Sequence, residues 1–443
     1  MRAGDPDPAH VLSHMPATQR DDLTADETSR ENARVNLGLA LEAYPLWVER
    51  LTCRDLKRAF LAECSAAVPH YRSLFQGAVR DLDRFPVIDR ADHDDRRLDF
   101  ISTGFEDPRS EILRISTNGT FGRTLRVAWD LPSFFDLNHA SYLRFSTVLP
   151  AFFSSLVRGE PSVFVISDSP RDLRTSVVMP ALDGAILRRL ILGRDEMTDV
   201  ALVEHLRRAR IALLHAKPSV LLDLIELDGA HDGGGRIAPA YVVCSGENLY
   251  PDDRARIEAG LGCSVLDAYA ASEAGLIAYE CRHRTGMHVV TDHLTVEVEA
   301  GDGSLGPTGT GQLLITNALN WRHAFIRYRI GDRATVTSGE CGCGHDGQTI
   351  VAMPGRERAA YGDGTGSITA EEIGAAVAAA DPPVKQFQVA PGEDHRIVIS
   401  WVGRPGGDTA LAAVLRGRFP GARFELVNVP AINLPGGKLR RFL

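Results

Sequence analysis

At 443 residues the chain exceeds what one small core absorbs, so two or three domains are expected. Hydrophobic residues at 44% and charged residues at 24% describe a soluble globular protein, and a net charge of −9 excludes a general nucleic-acid binder, which needs a basic surplus against phosphate. No apolar run is long enough to span a bilayer, and the opening residues MRAGDPDPAHVLSHMPATQRDD hold no apolar core of the signal-peptide kind. The expectation is a cytoplasmic protein with no membrane or nucleic-acid partner. In that compartment the 7 cysteines, an odd number, do not read as a disulfide framework.

In chain order, residues 1–30 are polar and aperiodic and are expected to form a flexible N-terminal arm. From Asn32 to Gly77 apolar residues recur at helical spacing. FPVIDRADHDD reads as a short strand, a turn and a helix start. The β-rich runs EILRIS and TLRVAWD flank ISTNGTFGRT, residues 115–124. Its glycines, hydroxyls and arginine suit a phosphate-wrapping loop, and Asn118-Gly119 equally suits a hairpin tip. The glycosylation pattern Asn118-Gly119-Thr120 lapses in the cytoplasm.

From PSVFVISDS to about Ala270 strands alternate with helices: VALVEHLRRARI, ALLHAKP, SVLLDLIEL, APAYVVCSG, DDRARIEAGLG and CSVLDAYA. That order predicts an α/β domain with mainly parallel strands. After Glu280 the texture becomes β-rich and punctuated by Gly and Pro, which predicts an antiparallel subdomain over about 281–354. Near Gly355-Arg356 it changes again, to a small α+β unit over 355–443. The expected division is therefore an arm at 1–30, a large domain at 31–354 and a small mobile domain at 355–443.

The motifs matter by their order. STNGTFGRT is followed by Tyr241-Val-Val-Cys-Ser-Gly-Glu247, then Asp267-Ala-Tyr-Ala-Ala-Ser-Glu-Ala-Gly275, then Tyr328-Arg-Ile-Gly-Asp332, Gly355-Arg356 and Gly437-Lys438. This order resembles the adenylate-forming superfamily of acyl-CoA synthetases, adenylation domains and luciferases, over residues 60 to 443. VPHYRSLF, SGENLYPDDRARIE and YECRHRTGMHVVTDHLTVEV resemble its phenylacetate–CoA ligase branch. The resemblance implies ATP- and magnesium-dependent activation of a carboxylic acid as acyl-AMP with release of pyrophosphate. Transfer follows to an acceptor, by default the thiol of coenzyme A. An amine or a carrier-protein thiol supplied in trans is the alternative acceptor, and a homodimer is compatible with the reading.

In this reading Thr117, Asn118, Gly119, Thr120, Gly122 and Arg123 wrap the departing phosphates. Phe121 stands where the family carries threonine. A carboxylate beside triphosphate is repulsive unless it holds a cation, and the family counterpart of Glu273 helps bind magnesium. Tyr269 offers adenine an aromatic face; Ser245, Gly246, Glu247, Asp267 and Ser272 belong to the nucleotide side. Asp332 accepts the ribose diol with Arg356 assisting. Lys438 stabilises charge as the bond to pyrophosphate breaks. Arg327 and Arg329 are open between ligand contact and pairing with carboxylates. The hinge segment GRERAAYGDGTGSIT departs from the family pattern. A second reading of the chain is a non-catalytic nucleotide- or acyl-binding relative, favoured by Phe121 and that segment.

Cys281-Arg-His283 and Cys341-Gly-Cys343-Gly form a Cys₃His set of structural-zinc type, with His288 and His345 as substitutes for His283. Free, half-buried thiols are the alternative. His215, Ala270, Leu276 and Ile277, with Ala278, are expected to line an acid pocket suited to an apolar, aromatic or aryl-alkyl acid.

Overall fold

The computed structural model describes residues 55–103, 113–116, 125–129, 133, 137, 141, 142, 144, 145, 148–158, 163–167, 172–179, 185–194, 197–355, 360–362, 366–381, 384–403, 406–430, 432 and 441–443. The expected N-terminal arm lies outside them. The elements are helices α1 (Leu56–Ala67), α2 (Pro69–Leu74), α3 (Arg90–Arg96), strands β1 (Leu113–Ser116) and β2 (Arg126–Trp129), and helix α4 (Pro150–Arg158). Then come β3 (Val163–Ser167), β4 (Asp172–Met179), β5 (Ala185–Gly193), α5 (Asp199–Arg208), β6 (Leu213–Ala216), α6 (Pro218–Ala230), β7 (Tyr241–Ser245), α7 (Pro251–Leu261) and β8 (Val265–Ala271). A run of strands follows: β9 (Gly275–Glu280), β10 (Met287–Val289), β11 (Leu294–Glu299), β12 (Leu305–Gly306), β13 (Gly309–Asn317), β14 (Tyr328–Glu340) and β15 (Asp346–Gly355).

Strands β5, β3, β6, β7 and β8 lie side by side and parallel. The strands after Glu280 pair antiparallel, as expected, but they do not form a separate sheet. A 13-stranded sheet runs β12-β11-β13-β14-β15-β10-β9-β8-β7-β6-β3-β5-β4 without a break. Alternation along each parallel strand feeds two faces. Leu213 and Val243 pack with Tyr142, Phe145 and Phe152 on one face. Leu214, Val242 and Val265 pack on the other with Leu206, Leu221 and Ile257 of α5, α6 and α7. A further cluster joins α1 and α2 to β2, β9, β11, β13 and β14.

Within that cluster two buried histidines face each other. His93 Nδ1 lies 3.1 Å from His323 Nε2, and His323 Nδ1 accepts the N–H of Ala128 at 3.3 Å. The proton of neutral His323 is therefore on Nε2 and is donated to His93. His93 is stacked between Phe100 and Phe325, with ring centroids 4.1 and 4.7 Å away. Burial lowers His93 from 6.5 to about 3, does the same to buried His293, and holds His323 well below 6.5. A depressed histidine stays neutral in the fold while the unfolded chain takes up the proton. Stability is thus full above about pH 6.5 and is lost as pH falls toward about 3, by about 2 kcal/mol each for His93 and His293 at about pH 5. Urea melts between pH 7 and 5 are expected to show this fall; a flat profile would contradict buried neutral histidines.

The C-terminal α+β unit holds hairpin β16 (Ala360–Gly362) with β17 (Ser367–Thr369), α8 (Ala370–Ala378), β18 (Gln386–Pro391), β19 (Arg396–Val402), α9 (Gly407–Arg418) and β20 (Arg423–Asn428). Helix α8 starts on a capping box: Thr369 Oγ accepts the Glu372 N–H and Glu372 accepts the Thr369 N–H. Tyr361, Ile373, Phe387, Trp401, Leu411 and Phe442 share an apolar cluster of this unit's own. The last residues lie along β18: the Val389 N–H donates to the Arg441 carbonyl at 2.6 Å and the Leu443 N–H to the Val389 carbonyl at 2.9 Å.

Candidate active site

Three stretches far apart in sequence meet beyond the C-terminal ends of β7 and β8. Tyr269, near the end of β8, donates its hydroxyl proton to Asp332 Oδ2 at 2.7 Å. Gly331 has φ +89°, which a residue with a side chain rarely adopts, in the step before Asp332. The Tyr269 ring and the Asp332 carboxylate thus form one surface. Ser272 and Glu273 occupy the turn between β8 and β9. The Ser272 carbonyl accepts from the Trp129 indole N–H at 3.2 Å and the Glu273 carbonyl from Asn317 Nδ2 at 3.0 Å. Glu273 is buried to 7% exposure, an unusual site for a carboxylate and one where a cation partner is favourable.

Trp129 ends β2, and β1 pairs with β2 as a hairpin from Leu113↔Trp129 to Ser116↔Arg126. The two strands thus pair antiparallel on either side, in sequence, of the glycine-rich stretch. Strand β2 is gripped on both sides of Ala128. Its carbonyl accepts from Asn320 Nδ2 at 3.0 Å, and its N–H donates to His323. Asn317, Asn320 and His323 are fully buried. These positioning side chains were missed by the sequence reading; the signal was Asn317, Asn320 and His323 interleaved with the apolar residues of TNALNWRHAF. Thr117, Asn118, Gly119, Thr120, Phe121, Gly122, Arg123, Arg356 and Lys438, and the hinge residues Glu357 to Ala359, lie outside the described residues.

Ser245 ends β7, and its Oγ is 2.7 Å from His215 Nε2 at the end of β6. Burial, helped by Arg189, lowers His215 to about 4, so it is neutral at pH 7. Gly246 turns the chain at φ +86°, and Glu247 Oε2 then accepts the Ser219 N–H at 3.2 Å, at the N-terminus of α6. Asp267 faces another acid. Burial and the charge of Glu280 push it up to about 7, while Arg254 holds Glu280 through two bonds of 2.9 and 2.8 Å. Ala270 is half-buried at the β8–β9 bulge. Leu276 packs with Val243 and Leu266, but Ile277 points to the opposite face and is fully buried with Val289 and Phe325. Adjacent strand residues face opposite ways, so these two do not share one pocket wall. The two open arginines are paired with carboxylates: Arg327 with Glu297 at 3.0 and 2.8 Å and with Asp83 at 2.7 Å, and Arg329 with Glu299 at 2.7 and 2.6 Å.

Asp332→Ala removes the acceptor opposite Tyr269. On the expectation that Asp332 accepts a ribose diol, the change should weaken ATP binding by about tenfold to a hundredfold, the loss of one or two charge-assisted hydrogen bonds. Titration calorimetry checks this, and unchanged affinity would remove Asp332 from the nucleotide site.

A second cluster lies at the far end of β9. Cys281, His288, Cys341 and Cys343 bring one ligand atom each to within 4.8 Å of one another. Cys281 Sγ and Cys341 Sγ are 3.8 Å apart, and Cys343 Sγ is 3.3 Å from His288 Nε2. A tetrahedral ion with Zn–S bonds of about 2.3 Å sets its sulfurs about 3.8 Å apart, so these residues fit zinc. The histidine differs from the expectation, which named His283. Strand β10 lies between β9 and β15, with His288 opposite both Tyr279 and Thr349. Its ring therefore reaches both cysteine turns, and Thr349 Oγ1 at 3.1 Å from Nδ1 turns Nε2 toward the thiols. His283 sits on the exposed turn; its ring lies over Gly342, and its N–H points at Cys281 Sγ at 3.4 Å. His345 stacks on His288 at 4.1 Å, with its Nε2 at the Gln348 carbonyl.

No family model matches the chain, and no curated protein matches its sequence. Solved structures do match. The fold is that of the adenylate-forming ligases. A 2-hydroxyisobutyryl-CoA ligase, solved in the postadenylation state with R3-HIB-AMP, superposes with a TM-score of 0.62 at 18% identity, covering 88% of this chain and 88% of that one. The same ligase in an open conformation with 2-HIB-AMP and CoA gives 0.51 at 17% identity, covering 88% and 90%. In the thioesterification state it gives 0.50 at 19% identity, covering 91% and 90%. Among the described residues no helix is long and apolar enough to cross a membrane.

Proposed function

We propose that this protein is a ligase that activates a carboxylic acid with ATP and then transfers the acyl group. A carboxylate oxygen attacks the α-phosphorus, the bond to the β-phosphate oxygen breaks, and acyl-AMP and pyrophosphate form. The acceptor, by default the thiol of coenzyme A, then adds to the acyl carbon and AMP leaves. The observation that carries this reading is the pairing of Tyr269 with Asp332, together with the contact of the neighbouring Ser272–Glu273 turn with Trp129 of the strand that follows the glycine-rich segment.

Tyr269 stacks adenine and Asp332 holds the ribose. Magnesium, when bound, offsets the triphosphate charge, and Glu273 is its ligand, seated by Asn317. Lys438 and Arg356 complete the site from the C-terminal unit and its hinge. Ser245 and neutral His215 offer the acid a polar but uncharged wall beside Ala270 and Leu276, which suits an aromatic or aryl-alkyl acid. An amine or a carrier-protein thiol is the alternative acceptor. Zinc on Cys281, His288, Cys341 and Cys343 has no open position and is structural.

Nucleotide products test the reading. With magnesium, ATP, an acid panel and coenzyme A, turnover is expected to yield AMP and pyrophosphate. Acid-dependent ADP, or no acid-dependent turnover at all, would overturn it, the latter in favour of a binding protein.

A further inference from the structure

We infer that Arg441 is an interdomain latch, a positioning residue that fixes where the C-terminal unit, and with it Lys438, sits on the large unit during adenylation. The inference rests on the ligase reading above. The backbone of Arg441 belongs to the C-terminal unit, hydrogen-bonded to Val389, with Phe442 beside it in that unit's core. Its guanidinium belongs to the large unit. Nη1 donates to Asp252 at 2.8 Å and Nη2 to Asp253 at 2.7 Å. The charge lies 4.1 Å from the Tyr250 ring and 4.6 Å from the Phe387 ring, one from each unit. Arg441 is buried to 3% exposure.

Tyr250, Asp252 and Asp253 form the cap and first turn of α7, just after the Ser245–Glu247 turn on the nucleotide side. A second contact, Lys385 to Asp223 and Glu226 at 3.3 and 2.7 Å, is more exposed and therefore weaker. The Arg441 contact is of the other kind. Separating the units would leave a buried cation and two acids without each other, and such losses are large. Burial already pushes Asp253 up to about 6 against the pull of Arg441.

Lys438 is three residues upstream in the sequence, so a latch at Arg441 bears directly on the segment that carries it.

The test compares the full-length wild type with Arg441→Met and with Asp252→Asn/Asp253→Asn, one variant from each side of the contact. Acid-dependent ATP–pyrophosphate exchange is expected to fall by about tenfold or more in both. ATP affinity by calorimetry stays within about threefold, because the nucleotide residues are on the large unit. Small-angle scattering is expected to show a larger radius of gyration in both. Wild-type exchange in either variant, or unchanged scattering in both, would overturn the latch. So would loss in Arg441→Met alone, which would indicate a role only in folding the C-terminal unit. If the wild type exchanges with no acid, the ligase reading fails, and scattering alone decides whether the units are latched.

Discussion

Lys438→Ala is expected to lower acid-dependent ATP–pyrophosphate exchange by about 10²- to 10³-fold while ATP binding stays close to intact. The size follows from removing one preorganised donor at the place where charge develops in the transition state. In the proposed role the ammonium group meets the α-phosphate and the attacking carboxylate only while that step occurs, so the loss would fall on turnover rather than on ground-state binding. Lys438 itself lies outside the described residues; three residues on, Arg441 is buried against Asp252 and Asp253 of the large unit, and Phe442 packs on Phe387 in the C-terminal unit. Exchange kinetics and ATP calorimetry on the same variant separate the two quantities. Retained exchange would remove Lys438 from the chemical step.

Removing the metal is expected to have the second-largest effect, on stability. The purified chain should carry one zinc ion by elemental analysis. Cys343→Ser and His288→Ala should lose it, and His283→Ala should keep it, because among the described residues it is His288 that brings its ring nitrogen among the thiols. The ion would staple the turn after β9 to the β14–β15 hairpin. A structural zinc is worth about 5 kcal/mol or more. At about 2 °C per kcal/mol for a domain of this size, chelation should lower Tm by about 10 °C. Glu273 lies eight residues before Cys281, with β9 between them, so adenylation should fall as well. A zinc-free chain of unchanged Tm would return the cysteines to the free-thiol reading.

The strand–helix alternation over 161–271 was legible because each parallel strand is a short apolar run between turn residues, and each helix has its own period. Strands β4 and β5 escaped notice. In β5 the pair Arg188-Arg189 interrupts the apolar run, and only pairing with β3 and β4 makes the segment a strand. The continuity of the sheet from β8 through β10 was also not readable, since pairing partners are set by the fold and not by local pattern. In the site, Tyr269, Glu273 and Asp332 stood out by motif. The grip of Asn317, Asn320 and His323 on the Glu273 turn and on β2 did not, because their partners are backbone groups 44 to 195 residues away. Arg441 looked like part of a basic tail for the same reason: its acids are 188 and 189 residues upstream. The histidine of the metal cluster was misplaced because spacing favours the nearer ring, whereas the middle position of β10 selects His288.

The most direct measurement is ATP–pyrophosphate exchange by the full-length wild-type protein with magnesium, across aryl, arylacetic, aryl-acrylic and aliphatic acids. Exchange is expected to depend on the acid, to be strongest for an aromatic or aryl-alkyl class, and to be lost in Lys438→Ala. No exchange with any acid, from a protein that still binds ATP at Tyr269 and Asp332, would contradict it and leave a nucleotide-binding relative without adenylation.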